Sequence, residues 1–299
     1  DCILPAKRIM ENNRLNPRIL LLLICFLPTV YAAAPVWQVT SGPYKFFLGG
    51  TIHLLRASDY PLPPAFAQAY QQSDTLVFET DIGKSQSDEF RQKMIQAVQL
   101  PQGASLEDYL KPQTLAALDQ YLRDNGVNIE QFSGMKPSMV SMTLTIMELR
   151  KLGAGETGVD AHFFSQAMTD HKPILALESI QQQIDFIASM GQGQEDLMIQ
   201  QTLEDNRTML SLFNEMVGNW RIGNEAQLKA LFIDPMKDKF APIYRDLLVN
   251  RNNNWMPQLH QMLKTAETEL VLVGSAHLVG PEGLLHLLRQ AGYRITQLD

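Results

Sequence analysis

Cysteine is nearly absent from this chain, and the two residues present, Cys2 and Cys25, both lie near its start. The rest has no thiol, so it is held by its core alone even in an oxidising compartment. Any metal there must be bound by histidine nitrogen and carboxylate oxygen, without sulfur. Positive charge is also scarce. Residues 33–299 carry 21 basic against 30 acidic side chains, a net charge of −9. That balance argues against nucleic acid or an anionic membrane as the main partner. No H-E-x-x-H or G-x-S-x-G motif occurs, and no linker or low-complexity stretch divides the chain. What is present in quantity is apolar: 45% of 299 residues, enough for a substantial core in one large domain or two smaller ones.

The N-terminal segment reads as a secretory signal. Arg14 and Arg18 precede the apolar run ILLLLICFLPTV at residues 19–30, and Tyr31-Ala32-Ala33-Ala34 follows. This run of about a dozen residues falls short of the roughly 20 that span a bilayer. Val30-Tyr31-Ala32 fits the small-residue rule for cleavage, whereas cutting after Ala34 would put Pro35 first. The expectation is a signal peptide at 1–32 and a periplasmic or secreted mature chain without a stable membrane anchor. A retained anchor is the alternative. Cys25 follows Ile24, where a lipoprotein signal requires a small residue, so lipidation is not expected. Met10 reads as a natural start, with residues 1–9 as upstream translation or a cloning remnant.

Apolar runs predict strands at 36–39 and 44–48, joined as a hairpin by Ser41-Gly42-Pro43, and at 75–79, 174–177, 269–273 and 293–297. The runs at 75–79 and 174–177 predict strands buried on both faces. Helical patterns cover 64–70, 88–98, 113–122, 137–152, 159–169 and most of 180–265. The expected fold is α/β, with a mixed central sheet of five or six strands flanked by helices and a large helical insertion, all in one domain over 33–299. Met139, Met142 and Met147 read either as a core face filled by an adaptable residue or as a malleable peptide-binding groove. Residues 153–158 match G-x-G-x-x-G but follow a helix where a dinucleotide site needs a strand, so they read as a helix stop and a turn. Ser133-Gly134-Met135-Lys136 matches S-x-x-K, but no K-T-G follows, which argues against serine acyl transfer.

Two stretches share one plan. An apolar strand runs into Gly49-Gly50-Thr51-Ile52-His53-Leu54, and near the other end a second runs into Gly274-Ser275-Ala276-His277-Leu278. In open α/β sheets, sites gather at the carboxyl ends of strands. Glycines at 49, 50 and 274 are expected to turn the chain sharply and admit close approach, so that both histidines emerge at the sheet rim. Glu79, Asp81 and Glu178 follow other strands directly. Two imidazoles and carboxylates on one rim make a nitrogen/oxygen site suited to Zn, Mn, Co or Fe; a capped or hydrogen-bonded structural histidine is the alternative at each position. His162, His171, His260 and His286 lack the glycine context and are left out.

The order of Gly50-Thr51-Ile52-His53, Glu79-Thr80-Asp81, Gly158-Val159-Asp160, Leu177-Glu178, Arg251-Asn252 and Gly274-Ser275-Ala276-His277 resembles the TraB/GumN family, which includes the Tiki metalloproteases. The resemblance spans residues 37–299. It implies a fold related to the erythromycin-esterase and ChaN-like proteins and, for the Tiki branch, peptide hydrolysis dependent on a divalent metal such as Mn or Co. The expected function is that of a secreted metallohydrolase acting on a peptide or another small acyl substrate. His53, Glu79 and His277 would hold the metal and leave a position for water. Glu178 or Asp81 would accept its proton or orient a ligand histidine. Arg251 would offer a positive fork to an oxyanion or a substrate carboxylate, or else be a surface arginine at a helix start with Asn252 as cap. The alternatives are a haem- or ligand-binding protein without chemistry and a metal-free esterase.

Overall fold

The first two strands turn on Gly42, whose φ of 57° lies in the left-handed region that glycine adopts without strain. β1 (Val36–Ser41) and β2 (Tyr44–Thr51) therefore zip into the expected hairpin. The computed structural model describes residues 33–155 and 157–299. The signal-like segment 1–32 lies outside the described residues, as does Glu156 in the glycine-rich stretch. Strands β3 (Thr75–Thr80), β4 (Ile174–Glu178), β5 (Glu269–Gly274) and β6 (Arg294–Gln297) complete a six-stranded mixed sheet in the order β4-β3-β5-β2-β1-β6.

β4, β3, β5 and β2 are mutually parallel, while β1 runs against both of its neighbours. The register sets Thr51 opposite Gly274 and Thr80 opposite Glu178. Four adjacent strands thus end together and form one rim. The central strands are covered on both faces: Phe46, Phe47, Leu48 and Leu270 to Val273 are fully buried, as their continuous apolar runs predict. β4 departs from this expectation. It is the edge strand, and Leu175 is 54% exposed, because an apolar run at a sheet margin has a neighbour on one side only. Gly49 and Gly50 also depart, since they lie inside β2 and turn nothing. Their role is close approach: a Cβ on Gly50 would stand 2.8 Å from Leu278 Cδ1 and 2.9 Å from Ser275 Oγ.

Helices α1 (Pro64–Gln71), α2 (Ile82–Ser85), α3 (Asp88–Ala97), α4 (Pro112–Asp124), α5 (Pro137–Lys151) and α6 (Val159–Asp170) precede β4. Between β4 and β5 come α7 (Ile180–Ser189), α8 (Glu195–Arg207), α9 (Met209–Arg221), α10 (Glu225–Leu228), α11 (Asp234–Lys239), α12 (Ala241–Tyr244) and α13 (Asn250–Met262). α14 (Leu284–Gln290) leads into β6. The helices of the expected insertion contribute to two cores. From α9 onward the helices bury Phe213, Trp220, Leu248 and Trp255 in the core of the sheet. α4, α5 and α8 instead share a separate core of Leu118, Leu122, Val140, Leu144, Ile199 and Leu203.

The buried face of α5 is built on Val140, Ser141 and Leu144, and its three methionines are only half-buried. Met147 packs against that separate core, as the core-face reading expects. Gly153, at φ 81°, stops α5, as the helix-stop reading expects. A π-helical turn, Arg245–Val249, runs without a break into α13. Arg251 and Asn252 consequently sit in the first turn of α13 and are 8% and 1% exposed, not on the surface at a helix start.

Candidate active site at the sheet rim

His53 leaves the end of β2 and His277 closes the 3-10 turn Ser275–His277 that follows β5. The parallel pairing of those strands brings both imidazoles to the same end of the sheet. Their surroundings differ. The His53 side chain is 64% exposed and emerges at the rim as expected, whereas His277 is buried. His277 is inside because the turn folds back beneath Trp255, whose ring centroid lies 4.4 Å from its own.

Each ring is fixed through Nδ1. His53 Nδ1–H donates to Asp160 Oδ2 at 2.8 Å, and Asp160 Oδ1 accepts from Thr51 Oγ1 at 3.0 Å. The Asp160 carboxylate raises the pKa of His53 to about 9, against partial desolvation and the nearby Arg251. Asp160 can reach His53 because Gly158 caps α6 directly against the loop: a Cβ there would lie 2.1 Å from the His53 carbonyl oxygen. Val159 N–H donates to the Ile52 carbonyl at 3.0 Å, which locks the same junction.

For His277, Asn252 decides the tautomer. The amide nitrogen of Asn252 donates to the carbonyls of His277 and Glu282, so its Oδ1 is the acceptor for His277 Nδ1–H at 2.7 Å. Nε2 then carries a lone pair, and Arg251 Nη1 donates to it at 3.2 Å. Burial is the largest influence on this imidazole; with Arg251 and His53 adding to it, its pKa falls to about 3 in spite of Glu79.

Arg251 is the hub. Nε and Nη2 grip Glu178 at 2.7 and 2.9 Å, and Nη2 also donates to Glu79 Oε2 at 2.7 Å. Its guanidinium lies 4.9 Å from the Trp255 ring centroid and 5.1 Å from that of Phe186. Glu178 accepts a further bond from Trp255 Nε1 at 3.0 Å. The fork expected to meet substrate is thus filled by the protein's own carboxylates. Glu79 Oε1 accepts from the Gly274 N–H at 2.7 Å and stands 3.9 Å from His277 Nε2. Burial opposes its charge, but His277, Arg251, His53 and the Gly274 N–H together hold its pKa down to about 2.

Asp81 does not join the cluster. It caps α2 by accepting from Lys84 N–H at 3.0 Å and pairs with the Lys84 ammonium at 3.0 Å. Its side chain turns toward the short helix that begins beside it, a local capping signal that outweighs its position after a strand. Asp160 and Asn252, conversely, join the cluster although the sequence pattern suggests no chemistry for either. Their signals are Asp160 in the first turn of a helix that opens on glycine and Asn252 next to the arginine.

A divalent cation tests this donor set. Each imidazole is held at Nδ1 by an oxygen and offers Nε2, the arrangement common to metal-ligating histidines. Glu79 Oε1, His53 Nε2 and His277 Cδ2 lie 3.3, 3.6 and 3.8 Å from the point where a Cβ on Gly274 would stand. The glycine therefore leaves a space that all three side chains face, and in kind the donors fit. Among the described residues, no three histidine, cysteine or acidic side chains are already drawn together as a ligand set. The guanidinium on His277 Nε2 is the group a cation must displace.

The TraB/PrgY/gumN family matches residues 35–297. The uncharacterized protein YbaP of Escherichia coli (strain K12) is 25% identical over 250 residues, 83% of this chain and 89% of YbaP. The uncharacterized protein YbaP of Shigella flexneri is 25% identical over 242 residues, 80% of this chain and 86% of that protein. No solved structure matches the chain.

Proposed function

We propose that this chain, which belongs to the TraB/PrgY/gumN family, is a metal-dependent hydrolase of peptides or other small acyl substrates. The observation that carries the reading is the pair of Nδ1-anchored imidazoles that present Nε2 beside an ionised Glu79 at the rim of a parallel sheet. His53, His277 and Glu79 would hold the cation, with Mn or Co favoured by the family resemblance and Zn or Fe chemically suited. A cation bound there polarises a carbonyl and lowers the pKa of a bound water toward neutrality.

The chain's own residues supply the rest. Asp160 and Asn252 fix the orientation of the two rings through Nδ1. Arg251 bridges the buried carboxylates of Glu178 and Glu79, and holds each by a charge-assisted bond. His53, the exposed member, stands where a substrate would enter, and would release its Nε2 proton to solvent before it could hold a cation. The fold's expected kinship with the erythromycin-esterase and ChaN-like proteins belongs to the same reading. So does action outside the cytoplasm, which the signal-like segment supports.

Two observations favour a second reading, metal-free hydrolysis. Arg251 already occupies the Nε2 lone pair of His277, and His53–Asp160 is a complete acid–base dyad. Chelation separates the two. The test is cleavage of a peptide library by purified protein before chelation, after it, and after Mn is restored. Activity lost and then recovered supports the metal reading, while activity indifferent to chelator supports the dyad.

A further inference from the structure

β4 ends in the site, yet among the described residues no strand pairs with its outer edge. The Leu76 N–H donates to the Pro173 carbonyl at 3.0 Å, and Leu76 pairs with Ile174 in register. In a parallel ladder alternate residues face the partner strand. Pro173, Leu175 and Leu177 therefore turn their backbone toward β3, and Ile174 and Ala176 turn theirs away from it. β4 has a single strand neighbour, and among the described residues no further strand takes up those outward groups. Leu175 is 54% exposed on the same strand. Alongside lies a cleft of about 460 Å³ lined by Lys84, Phe90, Lys93, Gln181 and Glu178. Glu178, the last residue of β4, is gripped by Arg251, so the cleft borders the rim cluster at that residue.

We infer that β4 is a docking edge for an extended polypeptide, which adds to the sheet as a seventh strand and is thereby led across the rim toward Glu79 and His277. Alternating N–H and C=O groups spaced as in a strand are matched in full only by another extended peptide backbone. Bonds to the main chain hold substrates of many sequences, while Leu175 and Phe90 favour apolar side chains at alternate positions. The inference rests on the hydrolase reading for what happens at the rim, but docking itself needs no turnover.

The test is backbone amide deuterium exchange on the full chain, with and without a pool of unstructured random-sequence dodecapeptides. The expected result is slowed exchange at Ile174 and Ala176 and none with the same pool N-methylated along its backbone. Ala176→Pro removes one outward N–H at an edge position that tolerates proline, and should weaken binding of the pool about tenfold. If that variant does not fold, the N-methylated pool still decides the matter. Protection without any cleavage upholds the docking edge and fails the hydrolase reading. Cleavage with no change at Ile174 and Ala176 overturns the docking edge and leaves the hydrolase reading intact. Equal protection by the N-methylated pool, or no protection and no cleavage, overturns the docking edge.

Discussion

Arg251 donates through Nη1 to Nε2 of His277 across 3.2 Å, so a cation and a guanidinium are rivals for one lone pair. The same arginine neutralises Glu79 and Glu178, and its side chain is 9% exposed. Arg251→Met leaves two buried carboxylates without their counter-charge and should destabilise the protein by about 3–5 kcal/mol. Arg251→Lys keeps the charge but not the three-way reach and should fall between the two. Urea unfolding measures both; an unchanged midpoint in Arg251→Met would mean that the hub does not hold the rim together.

Two glycines should behave oppositely. Gly158→Ala drives a methyl to 2.1 Å from the His53 carbonyl oxygen, where backbone must move. It should cost several kcal/mol, about the scale of a severe steric clash, and detach Asp160 from His53. Gly274→Ala meets nothing closer than 3.3 Å, so it should fold with stability changed by about 1 kcal/mol or less while filling the space between the donors. Thermal unfolding beside cation titration separates the outcomes. A Gly274→Ala protein that binds as tightly as the parent would place the cation elsewhere.

His53 should titrate near pH 9 in metal-free protein, followed by its ring proton resonances. Its folded pKa lies above the ordinary 6.5, so the stabilisation from the Asp160 pair is complete below pH 6.5 and is lost as pH rises through about 9. With the ring 64% exposed, solvent screens the pair, and the resonance rather than the melting curve is the sensitive readout. Asp160→Asn should return the midpoint toward 6.5, and a midpoint that stays near 9 would assign the shift to another group.

Glu269 gives a pH effect of the opposite acid–base type. It opens β5 with its Oε2 buried and without a hydrogen-bond partner, and burial, with Glu267 and Asp74 nearby, raises its pKa to about 7. Between pH 4.5 and 7 the folded state keeps a proton that the unfolded state has released, so stability falls as pH rises through that window. Glu269→Gln should flatten the slope and stabilise the protein at pH 8. An identical pH profile in the variant would exclude Glu269 as its source.

The parts of this site that could be read from sequence are those carried by local pattern. His53, Glu79, Glu178 and His277 each stand at or just after a strand, and parallel pairing brings strand ends together whatever the intervening chain does. Asp81 shares that context but is taken by the helix it begins. The role of Arg251 was hidden, since it lies 73 residues from Glu178 and 172 from Glu79, and no periodicity connects them. Asp160 and Asn252 stand in the sequence as members of the family motifs, but their roles, exercised through rings supplied by distant segments, were hidden for the same reason. The margin position of β4 was equally hidden, because an apolar run reads alike at the centre of a sheet and at its edge.

The most direct measurement is titration of metal-free protein with Co(II), followed by its visible absorption, for the parent and for His53→Ala, His277→Ala and Glu79→Gln. The account predicts a band that saturates at one equivalent in the parent and fails to develop in all three variants. A parent that develops no band, or a band that survives all three substitutions, would contradict it.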